Sequence, residues 1–161
     1  MANQLFAYAK YLFATGQLNW LGDNMKACFL NPSFQGGFTA ISTYQFYPSI
    51  SPYILTGSQS ITTITGKTAV VSGANAIMSA VPVAPATVAM VQFISLAAGQ
   101  VCSYLAIFKD PDPTNINGPP ASGNQASSPL IALLDSGAFV SQGTNGGNYD
   151  VPWDARGIFE F

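Results

Sequence analysis

The stretch 87-TVAMVQFISLAAGQVCSYLAIFK-109 decides the fold, because it carries two apolar runs joined by a polar, glycine-containing break. In both runs, 88–95 and 101–108, alternate side chains form two faces that are each largely apolar, which predicts strands covered on both sides. The break at 97–100 permits a reversal of the chain, and Pro111 stops the second strand. The stretch is therefore predicted to be the central β-hairpin of an all-β domain.

Short strands separated by turns are predicted on either side of this hairpin. They cover residues 23–30, 53–55, 59–65, 68–72, 76–79, 129–134, 139–141, 149–153 and 158–161. Short strands rich in Thr, Ile and Val and punctuated by glycine are typical of a sandwich or barrel, and they do not fit alternating strands and helices. We therefore expect an antiparallel β-sandwich or barrel-like domain.

One short N-terminal helix is predicted within residues 1–16, because apolar side chains recur at helical spacing between Leu5 and Phe13. Asn3 is the expected N-cap of this helix. The chain of 161 residues is long enough for a real core and short enough for one domain. Residues 1–161 are therefore expected to form a single β-sandwich domain.

Charged residues are scarce, since they make up 7% of the chain while 48% is hydrophobic. A free monomer with so few charges exposes a large uncharged surface and associates readily. We therefore expect copies of the chain or other partners to cover much of that surface. The net charge of −2 leaves too few Lys and Arg to neutralise several phosphates, which argues against a nucleic-acid partner.

No membrane partner, metal or cofactor is predicted. Prolines and polar residues interrupt the apolar stretch 81–108 before about 20 apolar residues accumulate, and the N-terminus shows no secretory leader. Cys28 and Cys102 fall in predicted strands and are expected to be buried free thiols, although a disulfide between neighbouring strands stays open. A chain without histidine or a paired cysteine motif is not expected to bind zinc.

Two segments lack a regular period. Residues 31–52 are predicted to be an aromatic-rich loop, and 110–128 a long exposed loop that is mobile unless a partner holds it. Aromatic rings suit stacking on a sugar or burial at a protein interface, and the scarcity of nearby charge favours the interface. The predicted contact residues are Phe34, Phe38, Tyr44, Phe46, Tyr47, Tyr53, Asn115 and Asn117.

Catalysis is not predicted. Without histidine the chain has no Ser-His-Asp or Cys-His constellation, which leaves aspartates as candidates for glycoside hydrolysis. These are Asp110 with Asp112, Asp135, and Asp150 with Asp154. All lie at turns or strand ends, where Asp forms hydrogen bonds to the backbone, so a turn-forming role is expected. The oxygens between Asp110 and Asn117 are spaced like calcium ligands, but the glycine and glutamate of an EF-hand are missing.

A series of short motifs carries a resemblance to a known family. In chain order they are 16–20 (GQLNW), 23–27 (DNMKA), 66–68 (GKT), 105–110 (LAIFKD), 129–135 (PLIALLD), 151–154 (VPWD) and 158–161 (IFEF). Taken together they resemble small β-rich virion structural proteins of tailed bacteriophages, several of which are head decoration or cement proteins. The likeness runs over nearly the whole chain, and it is the order of the motifs that is specific. The segments 34–53 and 112–128 depart from the family's pattern.

The resemblance implies a non-enzymatic protein that binds and stabilises the assembled phage capsid as a decoration or cement protein. It implies the major capsid protein as partner and self-association into a homotrimer, which would match three-fold positions on an icosahedral shell. The expected location is the capsid exterior of the virion, after synthesis in the host bacterial cytoplasm. The alternative is a tail- or fibre-associated module that binds carbohydrate or a receptor.

Overall fold

The computed structural model describes residues 4–34, 41–72, 75–80, 90–135, 142–152 and 158–160. Within them, α-helix α1 spans Ala7–Ala14. The strands are β1 (Gln4–Leu5), β2 (Asn24–Leu30), β3 (Gly57–Gln59), β4 (Ile61–Thr63), β5 (Lys67–Ser72), β6 (Asn75–Ala80), β7 (Met90–Leu96), β8 (Val101–Cys102), β9 (Tyr104–Asp110), β10 (Leu130–Leu134), β11 (Gln142–Gly143), β12 (Tyr149–Pro152) and β13 (Phe159–Glu160). Short 3-10 helices cover Tyr47–Ser49, Ser51–Tyr53 and Gln125–Ser127. The predicted all-β class with one short N-terminal helix is confirmed.

The N-terminal helix begins later than the sequence predicts. Asn3 lies outside the described residues, and Phe6 occupies the N-cap. Gln4 and Leu5 are extended and pair with β10, so the helix can start only after them. Gly16, at a φ of 71°, follows its C-terminal end, as is common for glycine. Within the described residues, no helix has the length and apolarity needed to cross a bilayer.

The five-stranded sheet carries the core of the molecule. Its order is β1-β10-β9-β2-β4, with every neighbouring pair antiparallel. Residues 25–30 of β2, 105–108 of β9 and 130–134 of β10 are all buried. Strands buried on both faces are expected to be continuously apolar, and these three runs nearly are. The sheet therefore lies between two layers of structure.

The predicted central hairpin at 87–109 is wrong, although both of its strands form. β7 pairs with β12 and β3, whereas β9 pairs with β2 and β10. The break between them is bonded to other parts of the chain. Oε1 of Gln100 accepts a hydrogen bond from the backbone N–H of Thr56 (2.8 Å), and Nε2 of Gln100 donates one to the backbone carbonyl of Thr56 (2.9 Å). The break thus joins strands of different sheets and does not form the turn of a hairpin.

The sheet β12-β7-β3 packs against the five-stranded sheet. In β7, Val91 and Phe93 are buried and Gln92 between them is exposed, so this strand is covered on one face and not on both as predicted. Phe93 packs against Phe29 of β2 with ring centroids 4.5 Å apart, and Tyr149 of β12 meets Phe29 edge-on at 5.3 Å. The arrangement is sandwich-like, and no closed barrel occurs among the described strands.

A further sheet, β13-β6-β5, is joined to the rest of the molecule through Trp20. Its indole Nε1 donates to the carbonyls of Thr68 (3.0 Å) and Ser79 (3.1 Å), which bridges β5 and β6. The Trp20 ring meets the ring of Phe159 in β13 edge-on, with centroids 5.1 Å apart. Phe13 of α1 also contacts the Phe159 ring, at 6.2 Å. Trp20 is itself buried, and its polar contacts fix the β5–β6 hairpin.

The remaining predicted strands are found with shifted bounds, except at 53–55 and 139–141. The first of these contains the end of a 3-10 helix and a single bridge from Ile54 to Leu30. The second lies outside the described residues. The predicted strand 59–65 overlaps two strands, because β3 pairs with β7 while β4 pairs with β2.

The two cysteines are buried and neither is bonded to another cysteine, as predicted. Cys28 lies in β2 of the five-stranded sheet, and Cys102 lies in β8, which pairs with β11. Burial raises the pKa of the Cys102 thiol from 9.0 to about 11 and raises that of Cys28 further. Both thiols are therefore held in their neutral form.

Candidate functional site

A buried ion pair lies at the base of the loop 111–128, and the sequence analysis did not single it out. Lys26 Nζ of β2 is 2.9 Å from Asp110 Oδ2 at the end of β9, and both side chains are 0% exposed. Asn24 pairs with Asp110 and Lys26 with Phe108 across these strands. Residues paired across two strands lie on the same face of the sheet, and so do residues two positions apart along one strand. The register therefore places Lys26 and Asp110 on the same face, close enough for their charges to pair. Asp110 therefore belongs to the core and not to the exposed loop predicted to begin there.

Further hydrogen bonds satisfy both members of the pair. Asp110 Oδ1 accepts the backbone N–H of Asp112 (3.0 Å), and its Oδ2 also accepts Nδ2 of Asn115 (2.8 Å). Lys26 Nζ donates a second bond to the carbonyl of Gly118 (2.8 Å). A charge buried without partners is strongly unfavourable, so these bonds allow the pair to lie where water does not reach.

The loop 111–128 is also bonded to the neighbouring strands. Asn24 Nδ2 donates to the carbonyls of Asp112 (2.7 Å) and Asn115 (2.9 Å). The N–H of Gly118 donates to the carbonyl of Ile61 in β4 (3.1 Å). These bonds fasten the loop to the sheet within a single chain, where the sequence predicted that a partner would be needed.

The loop presents a hydrophobic side chain that the sequence analysis missed. Of the two predicted contact residues here, Asn117 is exposed, and Asn115 is partly buried with its side chain bonded to Asp110. Ile116 between them is 69% exposed. An isoleucine fixed in this position by a bonded loop offers apolar surface to a partner.

Part of the predicted aromatic interface is covered by the chain itself. Phe34 and Tyr47 are buried in the core. Phe34 packs edge-on against Tyr53 and Tyr104, each at 5.5 Å, and Tyr47 packs against Phe108 at 5.0 Å. These rings cover the face of β9 that also carries Asp110. Phe34 and Tyr47 serve the core of this chain, while Tyr53 keeps part of its surface exposed.

The aromatic surface left to a partner extends onto the helix. Tyr44 and Phe46 are partly exposed, and Phe38 lies outside the described residues. Phe46 contacts Tyr8 of α1 at 5.2 Å, and Tyr8 stacks on Tyr11 at 6.0 Å. Tyr11 is 55% exposed. The sequence analysis predicted the helix but did not predict this aromatic outer face.

The aspartates at the base of the loop form turns, as predicted. Asp112 Oδ1 accepts the hydroxyl (2.7 Å) and the N–H (2.9 Å) of Thr114, and these bonds lower the pKa of its carboxyl. Asp110 bonds the backbone two residues on and faces the Lys26 ammonium. Asp154 lies outside the described residues. In the described parts of the chain, no three His, Cys, Asp or Glu side chains cluster in a way that would hold a metal ion.

A second ion pair takes up two more charges. Lys109 Nζ lies 2.9 Å from Asp23 Oδ2, with both side chains about a fifth exposed. The ammonium of Lys67 donates to the carbonyl of Asp23. Burial, partly offset by the Asp23 carboxylate, lowers the pKa of Lys67. The two ion pairs use four charged side chains of a chain with five basic and seven acidic residues, which leaves few charges for the surface.

These features define a sandwich-like all-β domain in which a buried ion pair and a set of hydrogen bonds hold a surface loop. Comparison with protein-family models, with curated proteins and with solved structures finds no match in any of the three.

Proposed function

We propose that this chain is a non-enzymatic structural protein of a tailed-bacteriophage virion, which binds the outside of the assembled capsid as a decoration or cement protein. The observation that carries the proposal is the scarcity of surface charge. Only 7% of the residues are charged, and the two ion pairs engage four of them within the chain. Such a surface favours association over a free monomeric state.

The exposed apolar side chains supply contact points for this role. Ile116 projects from the bonded loop, and Tyr11 and Phe46 lie along the helix and the aromatic segment. A loop already held in place loses less conformational freedom on binding than a mobile one. Contacts made only on the assembled shell stabilise that shell by mass action.

The proposed partners are the major capsid protein and further copies of the chain. The homotrimer follows from the family resemblance and from the uncharged surface. A strand at a sheet edge, such as β5, offers backbone groups to a strand of a neighbouring copy. A trimer would place three copies of the loop around a three-fold position of the shell.

A capsid-binding assay tests the contact surface. Purified protein is mixed with capsids lacking it, and the bound fraction is measured by co-sedimentation. Ile116→Asp puts a charge on the exposed loop residue and is expected to weaken binding at least tenfold, which is about 1.4 kcal/mol. Leu21→Asp is the matched control, because Leu21 is also more than half exposed but lies outside both contact segments. If both variants bind as tightly as the original chain, the loop is not part of the interface.

Electron cryomicroscopy of the intact particle tests the location. Density for many copies over the junctions between capsomers is expected. A few copies at the tail or at a fibre tip would overturn the capsid proposal and support the carbohydrate- or receptor-binding alternative.

A further inference from the structure

Three reactive side chains meet at a single oxygen atom beneath the loop. Asp110 Oδ2 lies 2.9 Å from Lys26 Nζ and 2.8 Å from Asn115 Nδ2. The two nitrogens are therefore no farther apart than these two distances together. An amine, a carboxamide and a carboxylate that contacts both are the groups needed to exchange one amide for another.

The surroundings favour chemistry over a simple ion pair. The side chains of Lys26 and Asp110 are 0% exposed, and Lys26 lies directly opposite Phe108 in the sheet. A buried ion pair often contributes no more stability than apolar residues of the same size. This chain has five basic residues and uses one here. Exclusion of water from Lys26 and Asp110 also strengthens the interaction through which they exchange a proton.

We infer that Lys26 forms an intramolecular isopeptide bond with Asn115, with Asp110 as the catalytic residue that carries the protons. The inference concerns a single reaction within the folded chain, and it does not depend on the proposed capsid function. It assigns a role to the one carboxylate that contacts both nitrogens.

The reaction begins with a proton transfer. The Lys26 ammonium gives a proton to Asp110 along their hydrogen bond, which leaves a neutral amine and a carboxylic acid and removes two charges from a dry site. The amine nitrogen then attacks Cγ of Asn115. Asp110 returns a proton to Nδ2 of Asn115 and accepts one from the attacking nitrogen.

The reaction balances without a co-reactant. The Nζ–Cγ bond forms, the Cγ–Nδ2 bond breaks, and the leaving ammonia takes from Asp110 the proton that came from Nζ, so that it departs as ammonium. Asp110 ends as a carboxylate, and no atom is oxidised or reduced. The products are one secondary amide and one ammonium ion, so the chain loses the mass of one ammonia and one positive charge.

The loop contacts position Asn115 for this attack. Its backbone carbonyl accepts Asn24 Nδ2 (2.9 Å), and its side-chain Nδ2 also donates to the carbonyl of Pro119 (2.9 Å). Held groups react with effective concentrations far above those of free ones. The flexible four-carbon stem of Lys26 can close the remaining gap by side-chain torsion. The new bond would join β2 to the loop covalently.

The mass of the intact, full-length protein tests the inference directly. Electrospray mass spectrometry of the denatured chain is expected to show near-complete loss of one ammonia relative to the sequence mass. A chain with the full sequence mass would overturn the inference and leave Lys26 and Asp110 as an ordinary ion pair. This measurement needs no variant and does not depend on a mutant folding.

Two further measurements separate the cross-link from cyclisation of an asparagine, which loses the same mass. Proteolysis is expected to give one branched peptide that contains both Lys26 and Asn115, and no cleavage by trypsin after Lys26. Lys26→Arg keeps a positive charge but lacks the amine, so this variant is expected to have its full sequence mass. The control Lys10→Arg changes an exposed lysine and is expected to show the loss of one ammonia, like the original chain. Loss of ammonia from Lys26→Arg, or a branched peptide that contains neither residue, would overturn the inference.

Discussion

Replacing Phe29 and Phe93 by leucine tests the contact that joins the two main sheets. Both rings are 0% exposed, and their centroids lie 4.5 Å apart at an interplanar angle of 43°. Leucine keeps the site apolar while removing the ring, so each single variant is expected to lose about 1–2 kcal/mol of unfolding free energy. An aromatic pair contributes about 0.5–1.5 kcal/mol beyond its buried area. The loss of unfolding free energy in the double variant is therefore expected to be about 0.5–1.5 kcal/mol smaller than the sum of the losses in the two single variants.

The control pair is Phe93 with Phe108. Phe108 lies opposite Lys26 in the register of β2 and β9, so it faces the other side of the sheet from Phe29. The losses from Phe93→Leu and Phe108→Leu should add to within about 0.3–0.5 kcal/mol, because residues that do not touch behave independently.

Urea denaturation followed by tryptophan fluorescence and circular dichroism supplies these values. The midpoints give the free energies, and an unchanged slope shows that the variants unfold from the same compact state. A coupling near zero for Phe29 with Phe93, or an equal coupling in the control pair, would refute the packing of β7 against β2.

Three other perturbations follow from the packing. Gly57→Ala places a methyl group 2.8 Å from a backbone oxygen of β7 and should cost about 1–3 kcal/mol in urea denaturation, whereas Gly123→Ala meets no atom within 4 Å and should be neutral or stabilising. Trp20→Phe removes an indole that donates to two carbonyls, and we expect thermal unfolding to show a loss of about 1–3 kcal/mol. Burial raises the pKa of Cys102 from 9.0 to about 11 and that of Cys28 further, so above pH 9.0 the unfolded chain releases protons that the folded chain keeps. The free energy of unfolding should therefore fall as pH rises above 9.0, and it should fall less in the variant Cys102→Ala. Because both thiols are buried, thiol reagents should label them only after unfolding.

The strands were predictable because their apolar patterns are local. The run 129–134 identifies β10 to within one residue, and the alternation in 101–108 covers β8 and most of β9. The pairing of β7 was not predictable, because a strand with a suitable apolar face fits several partners equally well. Its actual neighbours are β3 and β12, which lie far from it in the sequence, and the bonds between Gln100 and Thr56 support the pairing with β3.

The buried ion pair left a signal in the sequence that is visible once the strands are known. Lys26 is the only charged residue among the apolar residues of 25–30, and Asp110 ends the apolar run of β9. A lone charge of each sign at buried positions requires a partner. Their meeting depends on the register between β2 and β9, which no local pattern specifies.

The aromatic residues show a different limit. Phe34 and Ile116 belong to equally irregular segments, yet Phe34 is buried and Ile116 is 69% exposed. Composition predicts that such segments contain contact residues, but it does not say which of them the chain covers itself. That distinction comes from the tertiary packing of Phe34 against Tyr53 and Tyr104.

The bonds that hold the loop join residues about ninety positions apart in the chain. Asn24 bonds Asn115 across 91 residues, and Lys26 bonds Gly118 across 92. Contacts this distant form late, because the intervening chain must first be brought together. Ile116 is therefore presented correctly only by a copy whose central sheet is complete, so a shell that recognises this loop would select finished subunits and leave partly folded ones in solution.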